Sequence, residues 1–175
     1  MKLSLVVAPA LVGVLIGGVT TPTVTPERDA PSARSLRVSV EAALEHGDLW
    51  TALRTTEAAH RRATRDRRWE SLIEVGDAYY RIASRTGAPE AASQRAHDAY
   101  QAALRSARLA ESLDGVLRAA EAFAQLGDVD EVQLSLHVAR DLAGSDAEAV
   151  DDVKAAAGRL SDLLEVARPE ERGDD

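Results

Sequence analysis

The chain has 175 residues, 45% of them apolar, and its 29 acids against 21 bases give a net charge of −8. That length suits one domain of ordinary size, large enough to bury a core without metal or disulfide staples. Cysteine is absent, which excludes disulfides, thiolate metal sites, thiol catalysis and a cysteine-linked lipid anchor.

Residues 3–19 carry no charge and follow a single Lys2. A short positive head before an apolar run is the pattern of an export signal. As a helix the run would span only about 26 Å, short for a bilayer crossing. Pro9, Gly13, Gly17 and Gly18 weaken it further. No small-x-small cleavage site follows, so a cleaved signal and a retained signal-anchor both stay open. The positive N-terminus favours a cytoplasmic start and an exported body. The expected location is therefore the periplasm or the extracytoplasmic face of a bacterial membrane, with residues 3–19 as the membrane contact if uncut. Residues 20–33 hold three prolines and four threonines and read as a linker. The body follows at 34–167, and 168–175 reads as an acidic tail.

Within the body, apolar residues recur at intervals of three and four, and no stretch alternates with period two. Breakers at Gly47-Asp48, Thr86-Gly87-Ala88-Pro89, Gly127-Asp128 and Gly144-Ser145-Asp146 divide it. The spacing predicts helices at 34–46, 48–65, 68–85, 90–109, 112–126, 129–143 and 146–167. With only six aromatics and a surplus of Ala, Leu, Arg and Glu, the fold class is all-α. Short turns between helices imply antiparallel hairpins.

The hairpins resemble one another. One carries Leu72, Val75, Gly76 and Tyr79, then Ala96, Tyr100 and Ala103. The next carries Val116, Ala119, Ala120 and Phe123, then Gly127, Val132, Leu136 and Ala139. The first is more degenerate, with Leu36, Ser39, Val40 and Ala43, then Gly47, Ala52, Thr56 and Ala59. This pattern resembles the tetratricopeptide repeat (TPR). The resemblance covers roughly residues 33–146, with starts near 33, 69 and 113. It departs from the family in lacking the closing proline, where Thr64, Arg108 and Gly144 stand, and in an eight-residue lag that implies an enlarged turn at 85–92. It implies a right-handed superhelix of three hairpins, sealed by a capping helix whose apolar stripe is Val150, Val153, Ala157, Leu160 and Leu164. Ser145-Asp146-Ala147-Glu148 reads as a capping box at its start. A plain up-and-down bundle is the alternative architecture.

The resemblance also implies a groove lined by the first helix of each hairpin. The corresponding residues are Arg37, Glu41 and Leu44, then Ile73, Asp77 and Tyr80, then Leu117, Glu121 and Ala124. Glu41, Asp77 and Glu121 recur at one register, so the candidate groove is an acidic ladder beside Leu44, Tyr80 and Leu117. It suits a basic, partly apolar peptide or a subunit of a membrane complex.

No signature of hydrolase, kinase, phosphate-loop or dinucleotide chemistry occurs, and His46, His60, His97 and His137 read as surface or capping residues. Glu148, Asp151 and Asp152 read as charges at a helix N-terminus rather than as a metal site. No cofactor is expected. The run 60–68 holds five arginines, Arg61, Arg62, Arg65, Arg67 and Arg68. It could meet an anionic surface, or simply close its helix where cations favour the dipole. Without interleaved aromatics it is no nucleic-acid platform. The expectation is a non-enzymatic protein-interaction module, a scaffold, assembly factor or accessory subunit. A ligand-binding or enzymatic domain with a pocket near the 85–92 turn is the alternative.

Overall fold

The computed structural model describes residues 33–86 and 89–167, and these form seven helices without a strand. They are α1 (Ala33–Glu45), α2 (Leu49–Asp66), α3 (Trp69–Thr86), α4 (Pro89–Leu109), α5 (Leu113–Leu126), α6 (Val129–Ala143) and α7 (Ala147–Ala167). The expected export segment at 1–19, the expected linker up to residue 32 and the expected acidic tail at 168–175 lie outside the described residues. No helix among the described residues is long and apolar enough to cross a membrane.

Three turns share one hydrogen-bond scheme. After α1, Gly47 N–H donates to Leu44 O at 3.1 Å and Asp48 N–H to Ala43 O at 2.8 Å. Gly127 and Asp128 repeat this after α5 with Ala124 and Phe123, both at 3.0 Å. The pairing is a Schellman cap, which needs a left-handed residue at its centre. Gly47 and Gly127 supply it at φ 71° and 74°. Asp48 and Asp128 then begin the next helix, each accepting an amide N–H three residues on, from Thr51 and Glu131. The same cap follows α4, but there the left-handed residue is Glu111 at φ 51°.

Two local expectations are corrected. The lag between α3 and α4 is not an enlarged turn: α3 runs to Thr86 and α4 starts at Pro89, so the extra residues are helical. Proline suits the first helical position because its missing N–H would have had no partner there, and Glu90 in the first turn suits the dipole. Ahead of α7, Asp146 rather than Ser145 receives the amides of Glu148 and Ala149.

The core runs the length of the stack. Tyr79, Ile82, Tyr100, Phe123 and Leu160 are almost wholly buried, among a series of buried alanines at 96, 99, 103, 107, 119 and 120. Small side chains let helix axes approach, and large ones fill the gaps between hairpins. Successive helices pack in order, and α3 against α4 is the most extensive pairing. The odd-numbered helices also approach one another directly, α1 to α3, α3 to α5 and α5 to α7. The even-numbered ones are joined instead through long polar side chains: Arg95 of α4 to Glu57 of α2, and Gln101 of α4 to Glu131 of α6. The result is an all-helical, repeat-like stack whose two sides are built differently.

Candidate functional site

A groove of about 900 Å³ opens between α3, the first half of α4 and the end of α5. Tyr80, Gln94, His97, Leu126 and Asp128 line it, with Glu90 on the α4 side. It lies open to solvent rather than closing into a pocket. His97 is held in its wall: Nε2 stands 3.1 Å from Asp128 Oδ2, and the ring packs edge-on to Phe123. Beneath, the Tyr100 hydroxyl donates to Asp77 Oδ1 at 2.9 Å, so that polar tip is already engaged.

Apart from Arg37, which is exposed on α1, the residues expected along the groove divide into three sets. Tyr80 lines the groove itself. Leu44 and Leu117 are half-buried against the core, while Ile73 and Ala124 are core residues at 5% and 2% exposure. The three acids each have a partner within the protein. Glu41 joins Arg85 at 3.1 Å, binding α1 to α3. Asp77 receives Tyr100, binding α3 to α4. Glu121 meets Arg118 at 2.6 Å and Arg159 of α7 at 3.8 Å. The acids at this register thus serve as helix-to-helix ties, and the carboxylates of the groove proper are Glu90 and Asp128.

The arginine run is divided by the fold. Arg62 pairs with Asp66 at 3.2 Å, and Arg68 with Glu70 at 3.5 Å. Arg67 is the left-handed cap of α2, and its carbonyl accepts the Ser106 hydroxyl. Arg61 and Arg65 are exposed and enter no ion pair among the described residues. One turn apart, they face a second cavity of about 390 Å³ together with Glu57, His60, Thr64, Tyr79 and Arg95. Burial, and next the nearby Arg95, push the His60 pKa below its ordinary value, so its ring is neutral at pH 7.

Sequence reasoning did not find this cavity, because Arg95 and Tyr79 belong to other helices. The one local signal was the stripe of Glu57, Arg61 and Arg65 at four-residue spacing. Elsewhere, His46 Nδ1 lies 2.7 Å from Ala42 O at the end of α1, and His137 pairs with Asp141 on the surface. Lys154 holds Asp151. Among the described residues, no group of three or more His, Asp or Glu side chains is arranged to hold a metal ion.

No family model matches the chain, and no match is found among curated proteins.

Proposed function

We propose that the chain is a non-enzymatic protein-interaction module of TPR-like build, exported or anchored through residues 3–19, and that the groove between α3, α4 and α5 receives a segment of a partner protein. The observation that carries this reading is the open groove beside directly stacked odd-numbered helices. An extended or helical peptide can lie in such a trough without the receptor unfolding or closing over it. Tyr80 and Leu126 offer apolar contact, and Glu90 offers negative charge beside Asp128, whose oxygens cap α6 and face His97; this suits a basic, partly apolar segment. Residues at repeat positions, among them Tyr79, Tyr100, Phe123 and Leu136, are buried between helices, and this burial supports the TPR-like reading. The apolar, lysine-headed run at the N-terminus supports export.

The test is a photo-crosslinking amino acid placed singly at Gln94, Gln125 or Leu134 of the full chain in native membranes. Gln94 and Gln125 line the groove, whereas Leu134 is exposed on α6. A partner captured from the groove positions and not from Leu134 is expected. Capture from Leu134 alone, or from none of the three, overturns the reading.

A further inference from the structure

The cavity on the even-numbered side differs in chemistry from the groove and stands out on a protein of net charge −8. Five of its seven lining residues come from one face of α2: Glu57, His60, Arg61, Thr64 and Arg65. Tyr79 of α3 forms the floor, and Arg95 of α4 closes the far wall. The three guanidinium groups fall into two kinds by restraint. Arg95 is fixed on two sides: its guanidinium lies 5.7 Å from the centroid of the Tyr79 ring, and Glu57 holds one of its edges. His60 packs edge-on to the same ring at 5.8 Å, completing a rigid base. Arg61 and Arg65 extend from the rim without an ion pair among the described residues, Arg61 within electrostatic reach of Glu57.

Glu57 offsets one positive charge, and His60 is neutral at pH 7. Among the lining residues, three guanidiniums against one carboxylate leave two positive charges facing a common space, with the Asp98 carboxylate of α4 within electrostatic reach of His60. Guanidinium groups present paired N–H donors that match the oxygens of phosphate, and an arginine held in place loses less freedom on binding. A phosphate monoester near pH 7 carries a charge of about −1.5 to −2, which matches that balance. The volume is at the low end of small-molecule sites, leaving room for a small organic group beside the phosphate. Thr64 already donates its hydroxyl to His60 O, so the arginines are the main donors.

We infer that the cavity between α2, α3 and α4 is a binding site for a phosphate monoester, with Arg95 as its fixed contact and Arg61 and Arg65 as arms that close on the anion. The phosphate is either that of a small soluble phosphorylated compound or that of a phosphomonoester lipid headgroup.

The experiment uses the full chain at matched ionic strength, because weak unspecific attraction is screened by salt whereas a site with converging donors is less so. Calorimetry with inorganic phosphate and glycerol 3-phosphate reads the soluble source. Flotation with phosphatidylcholine vesicles, with and without phosphatidate, reads the headgroup source. The variants are Arg61→Gln, Arg65→Gln and, as a control, Arg62→Gln, all at exposed positions where folding is preserved. Each of the first two is expected to weaken binding roughly tenfold or more, the usual loss for a charged hydrogen bond. Arg62→Gln is expected to change nothing. The His60 ring protons, followed by NMR, add a readout inside the cavity: bound phosphate offsets the repulsion from Arg95 and raises the titration midpoint. Saturable binding of the soluble probes assigns the small compound. Binding only to phosphatidate vesicles, lost in Arg61→Gln and Arg65→Gln, assigns the headgroup. Absence of binding in both arms, or binding that survives both substitutions with His60 unmoved, overturns the inference.

Discussion

A Cβ atom built on Gly76 would overlap the ring of Tyr100, with Cε1 and Cδ1 as its nearest neighbours. Helices α3 and α4 therefore cross at a distance that only a residue without a side chain permits. The glycine takes ordinary helical backbone there, so its role is space rather than a positive φ. Tyr100 is fully buried, and its hydroxyl binds Asp77, the residue next to Gly76. The ring is thus located at both ends and cannot swing aside.

Gly76→Ala should accordingly destabilise the fold by about 3 kcal/mol, the upper part of the usual range for overpacking a core. Gly158 of α7 makes the opposite case. A Cβ there meets nothing within 4 Å, so Gly158→Ala should stabilise by about 0.5–1 kcal/mol through helix propensity alone. Urea unfolding of the two variants measures both signs. A neutral Gly76→Ala would mean that the close crossing does not exist in solution.

Tyr100 carries a pH dependence. Burial, then the adjacent Asp77 carboxylate, push its pKa well above the ordinary tyrosine range. In the unfolded chain the phenol ionises at about pH 10. The folded state thus keeps a proton that the unfolded state releases, and stability present below about pH 10 is lost as the pH rises beyond it. Tyr100→Phe removes this group. Its unfolding free energy should fall by about 1 kcal/mol near neutral pH, for the lost hydrogen bond to Asp77. Its alkaline decline above about pH 10 should be shallower than that of the wild type. Denaturant titrations on both sides of that pH read the difference.

Glu111 occupies the left-handed position of a Schellman cap that Gly47 and Gly127 fill in the matching turns. A side chain at φ 51° is strained by contact between its Cβ and the backbone. Glu111 is exposed and enters no ion pair among the described residues, so its side chain holds nothing there in place. Glu111→Gly should raise stability by about 0.5–1 kcal/mol, a gain set by relief of strain against the greater freedom of glycine in the unfolded chain. Thermal unfolding compared with the wild type tests the sign.

Much of the architecture follows from local rules. Apolar spacing, the Gly-Asp turn pairs and Pro89 mark seven helices whose ends agree with the structure within one or two residues. The turn after α4 was legible only as a break, since Ala110-Glu111-Ser112 contains no glycine to announce a left-handed residue. Repeat spacing predicts an enlarged turn in the lag before Ala96, whereas helix propensity predicts a helix from residue 90. Glu90, Ala91 and Ala92 behind a helix-starting proline carried the correct signal.

The sequence by itself determined what depends on neighbours along the chain: helix positions, their caps, and which face of each is apolar. Periods of three and four residues and the backbone demands of a turn act within a few residues, so they can be read without coordinates. Only the tertiary structure decided which charges remain free. Glu41, Asp77 and Glu121 share a register, yet each is engaged by Arg85, Tyr100 or Arg159 from another helix. Of five clustered arginines, packing and pairing left Arg61 and Arg65 without an ion pair among the described residues and brought Arg95 of α4 to meet them. A charge acts over ångströms in space, and the fold alone sets those distances.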